Sequence, residues 1–236
     1  MKYFLASSHC QQGTPVLMRD NGFNILLKSA LGNKPLNILI VASDPDNAGQ
    51  NDTFARWEQD RFEKDGYTVE SCKILDRRNA HTAGQLVAES NLIMLYGGHL
   101  PTQNRFFCEL VLKDLLAGFG GVILGISAGS MNCARTVYVT PEMPGEAVDP
   151  AFRRFVPGLC ITDINIIPHY NMVKDDVLDG MKLFEEIIYP DSCGRQFVVI
   201  PDSSFVYGDG TTERLYGEGF ILADGMMTPV KDIVLS

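Results

Sequence analysis

Residues 125–129 read Gly-Ile-Ser-Ala-Gly, a G-x-S-x-G pentapeptide, and the apolar run Val122-Ile123-Leu124 leads straight into it. A serine on a sharp turn between a buried strand and a helix has its hydroxyl projected from the sheet edge. The small neighbours Gly125, Ala128 and Gly129 let the backbone turn tightly enough for that. Ser130 to Ala134 can continue as a buried helix, and the Ala128 N–H then faces the place where an oxyanion would form. A phosphate-binding helix N-terminus would use a similar junction, but no Gly-Lys-Ser/Thr follows the turn. These residue types in this order point to nucleophilic catalysis by Ser127.

A serine hydroxyl needs a base, and the chain holds four histidines, His9, His81, His99 and His169. His169 follows Pro168 at the end of an apolar run, where the proline holds the preceding backbone extended. His99 follows Gly97-Gly98 at the end of another run and is the rival base. His9 follows the first apolar run, and His81 lies in a polar segment. The third member would be a carboxylate that orients the imidazole and stabilises its charged form. Asp202, after the run Val198-Val199-Ile200-Pro201, is the leading candidate. Glu142, Glu146, Asp149 and Asp163 are alternatives that spacing alone does not separate from it. An oxyanion hole would combine the Ala128 N–H with one from the Gly97-Gly98 turn, where glycine lets backbone approach a ligand closely.

The elements that must position these groups alternate along the chain. Strands are expected at Lys2 to Ser7, Asn37 to Ser43, Thr68 to Leu75, Asn91 to Tyr96, Val122 to Leu124 and Ile161 to Ile167. Helical faces are expected within Pro15 to Leu31, from Asn51 or Asp52 to Gly66, over Phe106 to Phe119 and over Met172 to Tyr189. Short runs at Gln196 to Ile200, Ser203 to Tyr207, Thr212 to Tyr216 and Phe220 to Leu222, with Gly/Asp turns among them, read as an antiparallel set. Thr140 to Gly158 reads as a long loop, of the kind that forms a lid or specificity segment. The alternation predicts a three-layer α/β sandwich with a mostly parallel central sheet and a small antiparallel C-terminal strand set. In such a sheet, ligands sit at the carboxyl ends of the strands, which is where Gly97-Gly98, Ser127 and Pro168-His169 all fall.

The chain has 236 residues, 45% hydrophobic and 21% charged, so one domain over residues 1–236 with a sizeable core is expected. Twenty-nine acidic against 20 basic residues give a net charge of −9, which argues against nucleic acid or an anionic membrane as partner. A small-molecule partner is expected, and a homodimer through an edge strand or helix is compatible with the sequence. Tyr3 to Ala6 is too short for the apolar core of a secretion signal, and no run approaches the ~20 residues of a membrane span. Six cysteines without a C-x-x-C pair read as reduced, buried thiols of a cytoplasmic protein. No metal site or organic cofactor is expected: H-E-x-x-H, paired C-x-x-C and carboxylate-rich loops are all missing from the sequence.

Taken together, Tyr96-Gly97-Gly98, Gly125-Ile126-Ser127-Ala128-Gly129-Ser130, Pro168-His169-Tyr170 and Ile200-Pro201-Asp202 resemble the peptidase E / cyanophycinase-like serine peptidases, over most of the chain. The resemblance implies a class I glutamine amidotransferase-like fold and a catalytic order of Ser, His, acid. It assigns Ser127 as nucleophile, His169 as base and Gly98 and Ala128 as oxyanion donors. Asp202 falls where peptidase E has glutamate, and His99 stands where family members commonly have Asn. It also implies hydrolysis of small peptides, dipeptides with an N-terminal aspartate above all. A cation would then receive the substrate carboxylate. Arg105, Arg135, Arg153, Arg154 and Lys174 are the cationic candidates, and His99, Arg135 and Lys174 are assigned to substrate binding. An esterase or amidase on the same elbow, or an idle binding homologue, is the alternative.

Overall fold

The computed structural model describes residues 1–11 and 13–235. The first half runs through β1 (Lys2–Ala6), α1 (Phe23–Leu31), β2 (Leu36–Val41), α2 (Ala48–Lys64), β3 (Val69–Leu75), α3 (Ala83–Glu89), β4 (Leu92–Leu95), α4 (Leu100–Glu109), α5 (Leu112–Leu116), β5 (Val122–Ile126) and α6 (Ala128–Met131). The second half holds β6 (Thr136–Tyr138), β7 (Phe155–Pro157), β8 (Asn165–Ile167), α7 (Tyr170–Val173), β9 (Val177–Leu178), β10 (Met181–Lys182) and α8 (Tyr189–Asp191). It ends in β11 (Gln196–Val199), β12 (Phe205–Gly208), β13 (Glu213–Tyr216), β14 (Glu218–Ala223) and β15 (Met226–Lys231).

Seven strands form the central sheet in the order β13-β12-β1-β5-β4-β2-β3. The five from β1 to β3 are mutually parallel, and β12 and β13 add antiparallel at one edge. Strands buried on both faces must be apolar at every position, which is why β4 and β5 read as unbroken runs. Alternate side chains feed two cores. Leu39, Val41, Ile93 and Ile123 pack with Phe106 and Leu112 on one face. On the other, Ile38, Ile40, Met94 and Leu124 pack with Phe23 and Phe62. The result is the expected three-layer sandwich.

The C-terminal strands divide in two rather than forming one set. β12 and β13 extend the central sheet, while β14 and β15 join β11 and β8 in a separate four-stranded sheet ordered β15-β14-β11-β8. A third, smaller core under that sheet includes Tyr138, Ile167, Phe184, Ile188, Phe197 and Val199.

Other expectations are corrected. Met172 to Tyr189 is not one helix: α7 is a single turn, β9 and β10 form a hairpin, and Leu183–Ile188 is a π-helical turn. Asp179 and Gly180 both adopt positive φ, 52° and 83°, the backbone of a two-residue hairpin turn that an Asp-Gly pair favours. Local turn chemistry overrides the helical period. The Phe106 to Phe119 helix breaks at Val111, whose φ of 52° ends α4 before α5 starts. Within Pro15 to Leu31 a 3-10 turn at Asp20–Gly22 leads into α1, and the strand expected over Ile161 to Ile167 is confined to β8. α2 starts earlier than expected, with Asn47 as its cap accepting from the Gln50 N–H. The six cysteines are unpaired, but Cys133 alone is buried, and Cys108 and Cys193 are exposed. Among the described residues, no helix is long and apolar enough to cross a membrane.

Candidate active site

β5 delivers Ser127 into a backbone conformation of φ 52° and ψ −117°, a strained region for a residue with a side chain, of the kind that concentrates at functional sites. The strain is held by the small residues around it. A Cβ on Gly129 would lie 1.9 Å from the Leu95 carbonyl oxygen, and one on Gly125 would lie 2.8 Å from Ser130 Cα. The end of β1 fixes the turn from below: the Ala6 carbonyl accepts the Ser127 N–H at 2.9 Å and the Ser130 hydroxyl at 2.8 Å. Ala128 opens α6, so its N–H has no intrahelical acceptor and is free for a ligand.

His169 follows β8 in left-handed conformation, φ 59°. Its Nε2 lies 2.9 Å from Ser127 Oγ, and its Nδ1 lies 2.6 Å from Asp202 Oδ1. The bond from His169 holds the Asp202 carboxyl below the usual carboxylate range, against the opposing effect of burial, and a bond from Ser7 adds to it. Ser7, wholly buried at the end of β1, donates to Asp202 Oδ1 at 2.6 Å and accepts the His169 N–H at 2.7 Å. Its oxygen is also 3.2 Å from His169 Nδ1. Sequence reading passed over Ser7. The signal available was positional: it ends an apolar strand at the same carboxyl edge as Ser127 and His169.

Ser127 and His169 open onto a cavity of about 410 Å³ that Gly98 and the loop residues Thr140, Pro141 and Glu142 also line. Gly98 passes so close to Ser43 that a Cβ there would lie 2.5 Å from Ser43 Oγ. Tyr96, two residues earlier, ties this turn to a buried charge cluster. Its hydroxyl donates to Glu58 Oε1 at 3.0 Å, and Glu58 Oε2 lies 3.0 Å from His9 Nε2. Arg61 also bonds Glu58. Burial pushes the His9 imidazole down, but the Glu58 carboxylate outweighs it and raises the group to about 9. Burial likewise opposes ionisation of Glu58, and the His9 and Arg61 charges overcome that, bringing it down to about 2.

The other expected residues lie elsewhere. His99 does not face Ser127: its Nδ1 is 2.8 Å from Thr102 Oγ1 and its Nε2 is 3.0 Å from Glu146 Oε1. Glu146 in turn accepts the Glu142 and Met143 N–H groups, so His99 anchors the loop over the cavity. Asp179 anchors the same loop from the β9–β10 hairpin, accepting from the Gly145 and Ala147 N–H groups at 2.8 and 3.0 Å. Arg135, largely exposed, pairs with Asp163 at 2.6 Å away from the cavity lining. Lys174 faces Asp175 at 3.4 Å and does not line the cavity either. Of the alternative acids, Asp149 accepts from the Ala151 N–H, and Glu142 lies at the cavity mouth. Among the described residues no cluster of three or more His, Cys, Asp or Glu side chains is placed to hold a metal ion.

No protein-family model matches the chain, and no curated protein matches it in sequence. Solved structures do. A peptidase from an acI-B1 Actinobacterium aligns with a TM-score of 0.67 at 18% identity, over 99% of this chain and 96% of that one. A protein from Listeria monocytogenes EGD-e, provisionally described as peptidase E, aligns with a TM-score of 0.63 at 14% identity, over 91% of this chain and 96% of its own. At such identities the likeness establishes the fold: a mostly parallel α/β sandwich of the peptidase E type.

Proposed function

We propose that this chain is a serine peptidase of the peptidase E type, hydrolysing short peptides through an acyl-enzyme on Ser127. One observation carries the reading: Ser127 Oγ, His169 Nε2, His169 Nδ1 and Asp202 Oδ1 form an unbroken line of contacts of 2.9 and 2.6 Å at the edge of a cavity. His169 Nε2 takes the hydroxyl proton as Ser127 attacks the scissile carbonyl, and Asp202 stabilises the imidazolium. The Ala128 and Gly98 N–H groups receive the oxyanion. The imidazolium then protonates the departing amine, and water, deprotonated by His169, releases the acid and restores Ser127. Asp202, one methylene shorter than the glutamate implied by the resemblance, still reaches Nδ1. Ser7 is a positioning residue that holds Asp202 and the His169 backbone at once.

The N-terminal aspartate implied by the resemblance requires a cation in the cavity. Among the described residues, the ionisable side chains that line it besides His169 are Glu142 and Asp176, and neither supplies one. The reading is therefore of a peptidase for short peptides without an acidic first residue. Hydrolysis of aminoacyl p-nitroanilides by wild type and Ser127→Ala tests it, with the variant expected to lose about 10³-fold or more. Equal rates in both would overturn the reading, and turnover restricted to carboxylic esters would make the chain an esterase.

A further inference from the structure

We infer that the cavity beside Ser127 takes peptides that begin with an aliphatic residue bearing a free ammonium group, and that Glu142 receives that ammonium; the inference rests on the serine-peptidase reading. At about 410 Å³ the cavity is in the range of small-ligand sites. Its walls are mostly hydrocarbon, with Met131, Val173, Val177, Leu183 and Ile188 facing the space next to the catalytic pair. An aspartate side chain placed there would lose water without gaining a counter-charge, and would meet two carboxylates of its own sign. A branched aliphatic side chain would gain by burying its apolar surface.

The amine of a first residue is two bonds from the scissile carbonyl carbon. Its acceptor must therefore lie close to the reacting atoms while still facing the cavity. Glu142 meets both conditions. It lines the same cavity as Ser127 and His169, and the His99 and His169 charges act on its carboxyl. Its backbone N–H is bound by Glu146 at 2.8 Å, which holds the residue in place, whereas its carboxylate has no hydrogen bond to a described side chain. Crowding by the surrounding protein raises its pKa, and the neighbouring Glu146 charge adds to this. A bound ammonium would relieve both effects. Asp176 lines the cavity too.

The test compares kcat/KM for Leu-, Asp- and N-acetyl-Leu-p-nitroanilide, with fluorophosphonate labelling of the wild type run alongside. The leucyl substrate should exceed both the aspartyl and the acetylated one by at least about tenfold. Glu142→Gln should narrow the free-amine to acetylated ratio about tenfold, and Glu142→Lys should shift the Asp-to-Leu ratio upward. Preference for aspartyl, indifference to acetylation, or an unchanged ratio in Glu142→Gln would overturn the inference while labelling of Ser127 leaves the peptidase reading standing. Absence of labelling and of turnover would overturn both. Glu142 sits on the loop over the cavity and outside the packed cores, so both variants should fold.

Discussion

The Ser7 hydroxyl donates to Asp202 Oδ1 at 2.6 Å while accepting the His169 backbone N–H at 2.7 Å, so one buried oxygen at the end of β1 holds both the acid and the main chain of the histidine. Ser7→Ala removes a bond to a carboxylate and leaves the His169 N–H without its acceptor, an effect of about 1–3 kcal/mol. If His169 is thereby misaligned, kcat should fall about 5- to 100-fold with little change in KM. Steady-state kinetics at several pH values checks this. Asp202 should also titrate closer to its ordinary range in the variant, so activity lost on acidification should be lost at higher pH.

The latch from His99 to Glu146 controls the loop over the cavity and not the chemistry at Ser127. His99→Ala should therefore raise KM several-fold with a smaller change in kcat, and should speed proteolytic cleavage within residues 141–147. Asp179→Ala, which frees the Gly145 and Ala147 N–H groups, should have the same signature. A large fall in kcat with unchanged KM would instead mark His99 as part of the reaction.

The buried His9–Glu58 pair makes stability depend on pH from both sides. His9 is raised from 6.5 to about 9, so its contribution is complete below pH 6.5 and is lost as pH climbs toward 9. Glu58 is lowered from 4.5 to about 2, so its contribution is complete above pH 4.5 and is lost as pH falls toward 2. Unfolding free energies from urea titrations should be highest near pH 5–6 and decline by about 2–3 kcal/mol toward pH 9. Glu58→Gln should lower the plateau and flatten that alkaline decline; a decline unchanged in the variant would assign it to other groups.

Gly129 is required by contact and not by backbone angle. Gly129→Ala would place a Cβ 1.9 Å from the Leu95 carbonyl oxygen, a rigid neighbour that cannot give way. The cost should exceed the usual 1–3 kcal/mol of overpacking. Thermal unfolding is expected to drop by many degrees, or the variant to fail to fold.

The central sheet was legible because buried parallel strands must be apolar at every position, as β4 and β5 are and as β2 is from Ile38 onward. The elbow was legible because so few residues tolerate its close contacts. Two kinds of feature were hidden. Met172 to Tyr189 carries apolar residues at helical spacing, yet Asp179-Gly180 closes a hairpin within it, and a period cannot reveal which signal prevails. The partnerships of His99 with Glu146, Arg135 with Asp163 and Ser7 with Asp202 join residues 28 to 195 positions apart, which only the folded chain brings together. Candidate cations at the sheet rim could be named from the sequence, but their engagement elsewhere could not.

The proposed chemistry makes Ser127 a nucleophile activated by His169. Intact-protein and peptide mass spectrometry after exposure to a fluorophosphonate tests it most directly. A single adduct is expected on the peptide containing Ser127, absent from Ser127→Ala and formed at least about 10²-fold more slowly in His169→Ala. No adduct on the wild type, or an adduct on Ser127 whose rate is indifferent to His169, would contradict it.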